Sequence, residues 1–403
     1  MKLRTLEETD IYQKTVLYRS AYDIGVKQIA GGDYVVKDDS RIRASLKTLE
    51  YLINNECKIV VLTYVKRPDG KIVESLRTSP HAKSLSALLG KPVRKMDDCI
   101  GDEVRKAISD LKAGEVVMLE NVRFHPEEMI DDDKFAKELT YGCDLVVFDG
   151  FPQAHRAHAS TTGILRHLPN CAGFYLESEV AALSRLTSAP QKPFTIIIGG
   201  EKISDKIDAI NNLYDVADAI LVGGGVANVF MKAKGIDVGS SFVEDVFVDL
   251  VRKEKKDWVE YASKILARGD KVRVPVDLVV GDDLDNPHRA EISVTVPAGW
   301  AALDIGPLTS DAFSKTIKQS KTVFWNGPMG VFEDDRFAAG SGSIARAVEQ
   351  VSGLTVIAGG DTIEAAKKYC DIGKITHLSL AGGATLEFLA GKKLPALEML
   401  RKE

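Results

Sequence analysis

The sequence predicts an α/β protein built from two doubly wound parallel sheets joined by a helix. Three observations predict it. Short apolar, β-branched runs alternate with helix-period segments along the whole chain. Those runs are continuously apolar, as strands buried on both faces of a parallel sheet are. The 403 residues exceed the ~250–300 at which a single core stops growing, so two domains are expected.

Taken in order, the expected strands are Thr15–Tyr18, Lys58–Tyr64, Glu115–Leu119, Leu145–Phe148, Phe194–Ile198, Ala219–Val222, Thr322–Trp325 and Thr355–Ala358. Helical periodicity lies between them at Ile42–Ile53, Ala82–Leu89 and Ser343–Val351. A boundary falls near Pro169–Gly173, followed by a helix-like stretch, Glu177–Leu186. Thr309–Ser320 reads as another connecting helix. There is no internal repeat and no low-complexity tract.

Composition excludes several function classes. Apolar residues make up 45% and charged residues 28%, which is ordinary for a globular protein. A net charge of −5 offers no footprint for nucleic acid or an anionic membrane, and no stretch reaches 18 apolar residues. Any anion site must be a local cluster of positive groups. The five cysteines, Cys57, Cys99, Cys143, Cys171 and Cys370, are scattered with no CxxC spacing, which predicts reduced thiols in a cytoplasmic protein. Met1–Glu8 lacks the apolar core of a secretory signal, so no such leader is expected.

In the second half, five strand ends run into glycine: Gly199-Gly200, Gly223-Gly224-Gly225, Gly327, Gly359-Gly360 and Gly382-Gly383. Ligands of open parallel sheets sit beyond the carboxyl ends of the strands, where helix N-termini present free N–H groups to phosphate. One glycine turn means little; five on one edge predict a nucleotide site. No GxxxxGK(S/T), HRD or DFG occurs, so neither a Walker-type NTPase nor a protein kinase is indicated. Lys202 and Lys206 are four apart, on one face if a helix begins there. Elsewhere such a pair reads as a solvated face; at a glycine-flanked strand end it suits a phosphate chain.

The first half carries Arg41, Arg67, Arg123 and Arg156. Three of them follow apolar strands and should collect at one sheet edge. Singly each is an ordinary surface arginine. Together they read as a pocket for a small, multiply charged anion, because the guanidinium fork matches carboxylate and phosphate. His125, His155 and His158 have no metal-ligand spacing, and His155 and His158 are expected to orient the Arg156 loop.

The string Trp325-Asn326-Gly327-Pro328-Met329-Gly330-Val331-Phe332-Glu333 resembles a signature of phosphoglycerate kinase. The Arg41 and Arg67 segments, Leu119–His125, Ala154–Ser160, Gly199–Lys206, Gly223–Phe230, Asp304–Pro307, Gly359–Thr362 and Gly382–Glu387 resemble the same family, in family order. The resemblance implies two Rossmann-like domains with a helical hinge. Residues 1–172 would hold the phosphoglycerate and 173–387 the MgATP or MgADP, with 388–403 returning to the first domain. It implies a monomer that moves a phosphoryl group reversibly between 1,3-bisphosphoglycerate and ADP, giving 3-phosphoglycerate and ATP, with no nucleic-acid or membrane partner.

By position, the resemblance places Arg41 and Lys202 on the transferring phosphoryl group, with Gly360 and Gly383 as further catalytic positions. Asp23, Tyr64, Lys66, Arg67, Arg123 and Arg156 would hold the glycerate and its phosphate. Lys206, Gly224, Ala302, Asn326, Gly359, Asp361 and Thr362 would line the nucleotide site, Glu333 would meet the ribose, and Asp361 would support Mg²⁺.

The chain departs from the family pattern in places. Ala21 and Asp23 stand where the family has Asp and Asn. Tyr64 replaces a His, and Lys66 replaces a Gly. Glu201 stands at a small residue, Ala302 and Ala358 at glycines, and Leu380-Ala381 at Thr-Gly. The alternatives are an acyl-phosphate kinase for a different acid, or a nucleotide-binding protein without turnover. Retention of Arg41 and Lys202 argues against the latter.

Overall fold

A computed structural model of the chain describes residues 1–249 and 254–402. The chain divides into two compact units, 1–181 with 393–403, and 182–392. The helix Phe174–Ser188 contributes residues to both.

The first unit is built on six parallel strands: β1 (Thr15–Arg19), β2 (Lys58–Leu62), β3 (Val93–Lys95), β4 (Val116–Met118), β5 (Leu145–Phe148) and β6 (Asn170–Ala172). Their spatial order is β3-β4-β2-β1-β5-β6. The inner strands are buried on both faces, which is why Ile59–Leu62 and Leu145–Phe148 read as unbroken apolar runs. Helix Ser40–Asn54 covers one face by burying Ile42, Ser45, Leu49 and Leu52, spaced three or four apart. Ile42, Leu49 and Leu52 pack with Val16, Tyr18, Ile59, Val61, Met118 and Val147 in one core. The chain's end closes this unit: Arg4 N donates to Leu400 O at 2.9 Å, and Ala396 N donates to Ala154 O at 3.2 Å.

His81, in helix Ser79–Leu89, is fully buried with Nε2 3.1 Å from Ile24 O. Burial pushes its pKa from 6.5 down to about 4. The unfolded state therefore binds the extra proton first, and His81 weakens folding as pH falls from about 6.5 to 4. Relative to His81→Gln, the wild type should lose up to about 3 kcal/mol of stability between pH 7.5 and 4.5. Urea unfolding of both proteins at the two pH values measures this. A pH-independent difference would mean that His81 titrates alike in both states.

The second unit repeats the plan with β7 (Phe194–Ile198), β8 (Ala219–Val222), β9 (Val272–Arg273), β10 (Thr322–Asn326), β11 (Leu354–Ala358) and β12 (His377–Ser379). The order is β9-β8-β7-β10-β11-β12, all parallel. Because every strand runs the same way, the glycine turns after β7, β8, β10 and β11 share one edge. A three-stranded antiparallel sheet (Leu278–Gly281, Ala290–Ser293, Ala301–Ile305) is added to this unit. Helix Pro307–Lys318 lies wholly inside the second unit, where Phe313 and Ile317 join its core, so it does not connect the two.

All eight expected strands are present, each within two residues of its expected ends. A second expectation, a local one, is also corrected. No helix begins at Glu201; residues 201–206 form bends and turns, and the helix starts at Ile207. Gly200, at φ +81, turns the chain sharply, so Lys202 and Lys206 sit on a loop.

Candidate active site

The strand ends of the second unit frame a cleft of about 610 Å³. Lys202, Lys206, Asn326, Gly359, Gly360, Asp361, Thr362 and Gly383 all line it, together with Gly200, Glu201, Gly327 and Glu387. Two turns interlock at its base. Gly199 N donates to Asn326 O at 2.9 Å, and Gly200 N donates to Pro328 O at 2.7 Å. Asn326 Nδ2 donates to Ala358 O at 2.8 Å, and Gly327 N donates to the Thr362 hydroxyl at 2.7 Å. Trp325 is fully buried, and its indole N–H donates to Gly327 O at 2.8 Å. The indole thus fastens the turn from below.

Three of the expected nucleotide residues do not line this cleft. Gly224, at φ +57, packs its backbone against Gly200. Ala302 lies on Ala301–Ile305, its N–H bound to Ser241 Oγ at 2.8 Å. Glu333 is exposed on the loop after β10.

The cleft holds cations and anions together. Lys202, Lys206 and Lys392 face Glu201, Asp205, Asp208, Asp361 and Glu387. Lys206 Nζ donates to Lys202 O at 3.1 Å, and burial lowers its pKa despite Asp205, Glu244 and Asp361 nearby. More carboxylates than ammonium groups would repel a bare polyphosphate, and a divalent cation removes that repulsion. Asp361 lies exposed in the first turn of helix Gly360–Tyr369, which suits Mg²⁺, a cation that takes few protein carboxylates and keeps phosphate and water oxygens. Among the described residues, the one compact group of metal-ligand type lies elsewhere, at Asp98, Cys99 and His125. There His125 Nε2 is 2.7 Å from Asp98 Oδ1 as an ion pair, which raises the histidine's pKa.

In the first unit, Arg67, Arg123 and Arg156 follow β2, β4 and β5, and Arg41 is the second residue of Ser40–Asn54. Arg41 Nη1 donates to Asp23 O at 2.9 Å. Lys66 is a non-glycine residue in the left-handed region, at φ +53. Its N–H donates to Asp23 Oδ1 at 2.9 Å, its Nζ lies 3.8 Å from the same oxygen, and its carbonyl accepts from Arg123 Nη1 at 2.7 Å. Lys66 therefore ties Asp23 to Arg123, while half its side chain remains in solvent. Arg67 is exposed, and Arg156 Nε donates to His155 Nε2 at 3.2 Å. Burial holds His155 and His158 down at about 4, so both are neutral at pH 7, and His155 acts as an acceptor that orients Arg156.

Sequence reading missed Gln153 and Arg19. Both are buried; Gln153 is uncharged and nothing in spacing or charge pattern marks it, whereas Arg19 directly follows the expected strand Thr15–Tyr18 and carried the same signal as the other arginines. Gln153 Nε2 donates to the Tyr64 hydroxyl, and Arg19 and Arg123 both lie against the Tyr64 ring.

Arginines after the strand ends of one doubly wound unit and a glycine-turned, lysine-bearing cleft on the other fit a phosphotransferase. The comparisons with known proteins narrow the class. A family model described as phosphoglycerate kinase matches residues 6–392. The phosphoglycerate kinases of Moorella thermoacetica and Pelotomaculum thermopropionicum are 44% and 42% identical, with 99% of each chain covered. Solved phosphoglycerate kinases of Coxiella burnetii and Pyrococcus horikoshii superpose with TM-scores of 0.83 and 0.84 at 33% and 34% identity. They cover 99% of this chain, and 99% and 98% of theirs. The chain belongs to the phosphoglycerate kinase family.

Proposed function

We propose that the chain catalyses reversible phosphoryl transfer between 1,3-bisphosphoglycerate and ADP, giving 3-phosphoglycerate and ATP. The observation that carries this is the family match over residues 6–392, combined with arginines after the strand ends of the first unit and lysines in the cleft of the second. The first unit, 1–181 with the chain's end, takes the phosphoglycerate through Arg41, Arg67, Arg123 and Arg156, with Lys66 added. The second, 182–392, takes the nucleotide through Lys206, Asn326, Gly359, Gly360 and Thr362, and Glu333 serves the ribose. Helix Phe174–Ser188, shared by both units, is the hinge, and the protein works as a cytoplasmic monomer.

Phosphoryl transfer between oxygens asks the protein for positioning and charge more than for proton transfer. Lys202 and Arg41 neutralise the group in flight, and the N–H groups around Gly360 and Gly383 add fixed dipoles. Mg²⁺ held by Asp361 would supply charge neutralisation on the nucleotide phosphates. A coupled assay with 3-phosphoglycerate and ATP tests the reading directly. Turnover of another acid, with none for 3-phosphoglycerate, would replace the substrate; nucleotide binding without turnover would replace the activity.

The division of labour has its own test. Lys206→Ala and Glu333→Ala should each weaken ADP binding about fivefold or more, the worth of ~1 kcal/mol, and spare 3-phosphoglycerate. Calorimetry with each ligand alone measures both. Equal losses for the two ligands would contradict the assignment.

A further inference from the structure

Gln153 sits at the centre of the first unit's cation layer, although it carries no charge. It is 4% exposed. Its Nε2 donates to the Tyr64 hydroxyl and, at 3.1 Å, to Pro152 O, while its Oε1 accepts from Arg123 Nη2 at 3.1 Å. Arg123 is equally buried, and its Cζ stands 4.0 Å from the centre of the Tyr64 ring. With Nη1 on Lys66 O, the guanidinium is held at three points: two hydrogen bonds and one aromatic face.

The layer is short of negative charge. Arg19 and Arg123 both lie near Glu128, Arg123 also lies near Asp23, and Arg156 adds its charge beside Arg123. Glu128 already accepts from Ser160 N at 2.8 Å and Ser160 Oγ at 2.7 Å, and Asp23 is shared with Lys66. Arg123 Nε is buried with no hydrogen-bond partner among the described residues. A buried charged donor without an acceptor is unfavourable, so the place of this guanidinium depends on the contacts its other nitrogens and its face do make.

We propose that Gln153 is a specificity-determining positioning residue of the acid site: it pins Arg123 against Tyr64 so that the remaining guanidinium donors form a fixed receptor for a phosphorylated acid. The proposal rests on the first unit being the acid-binding unit. Only an amide suits the position. It donates to a hydroxyl and accepts from a guanidinium at once, and leaves the arginine's charge intact. A carboxylate would keep the shape and the bonds to Arg123 and Tyr64, since the Tyr64 hydroxyl can turn to donate; it would lose the bond to Pro152 O and cancel the charge that attracts the ligand.

Gln153→Glu and Gln153→Ala separate this role from a purely structural one. Melting temperature, calorimetric affinity for 3-phosphoglycerate, and KM for 3-phosphoglycerate and for ATP are measured for each. Gln153→Glu should melt no lower than Gln153→Ala, because its ion pair with Arg123 offsets the lost bond to Pro152 O, and should leave the KM for ATP unchanged. It should raise the Kd and KM for 3-phosphoglycerate about tenfold or more, because a charge is placed against Arg123. Gln153→Ala should raise them several-fold and less. A structural role predicts the reverse: an unstable Ala variant and a Glu variant like the wild type, and that result overturns the proposal. Should Gln153→Glu fail to fold, Tyr64→Phe removes the hydroxyl that Gln153 holds; an unchanged KM for 3-phosphoglycerate there overturns the proposal equally. A wild type that binds 3-phosphoglycerate without turnover, with binding lost in Gln153→Glu, upholds Gln153 and refutes the kinase reading. Turnover in which Gln153→Glu matches the wild type does the opposite. No binding and no turnover refutes both.

Discussion

Arg41→Ala should lower kcat by ~10²-fold or more while changing the affinity for ADP little. The reason lies in where the charge develops. A transferring phosphoryl group spreads negative charge over its equatorial oxygens, and a positioned guanidinium stabilises that state more than either bound ground state. Arg41 is placed for this by two local features. It opens the helix Ser40–Asn54, and its Nη1 is anchored on Asp23 O at 2.9 Å. That anchor sets its orientation before ligand arrives, so little reorganisation remains. Steady-state kinetics with 3-phosphoglycerate and ATP, together with ADP calorimetry, measure the split. A variant with near wild-type kcat would remove Arg41 from the chemistry, and a large loss of ADP affinity would move it to the wrong substrate.

Gly327→Ala should unfold or loosen the second unit and weaken ADP binding by tenfold or more. Gly327 has φ +90, where an alanine costs about 1–3 kcal/mol. Its new Cβ would also stand 2.2 Å from Gly199 O and 2.3 Å from Gly199 C. Neither chain can retreat, because Gly199 N is bound to Asn326 O and Gly200 N to Pro328 O. Both turns line the cleft, so separating them dismantles the phosphate seat and the fold together. Gly360→Ala is the control. A Cβ there meets nothing within 4 Å, so stability should hold while ADP affinity falls, if the helix start receives phosphate. A Gly327→Ala protein with wild-type melting and ADP affinity would show that the close approach of the two turns is dispensable.

The strands legible in the sequence are the inner ones. β1, β2, β4, β5, β7, β8, β10 and β11 are the inner strands, and their ends could be read within two residues. Within the two parallel sheets, the four strands that escaped, β3, β6, β9 and β12, are the edges. Each has two or three residues and at least one position that is not buried, so no continuous apolar run announces it. Pairing with a neighbour, which is a tertiary event, makes them strands.

The site divides in the same way. Glycine at strand ends and arginine after strands are local signals, and parallel topology alone then gathers them at one edge of each sheet. Sequence by itself therefore determined the fold class, the family and the residue types of both sites. Tertiary structure decided what those residues touch. It broke the expected helix at Lys202, because Gly200 turns the chain first, and it set Ala302 and Glu333 off the lysine cleft. It brought Gln153 to Tyr64, 89 residues away, and Arg123 to the Lys66 carbonyl, 57 residues away. No spacing rule reaches across such separations: hydrogen bonds between neighbouring strand-end loops depend on the order of strands in the sheet, and that order is set by the packing of the whole core.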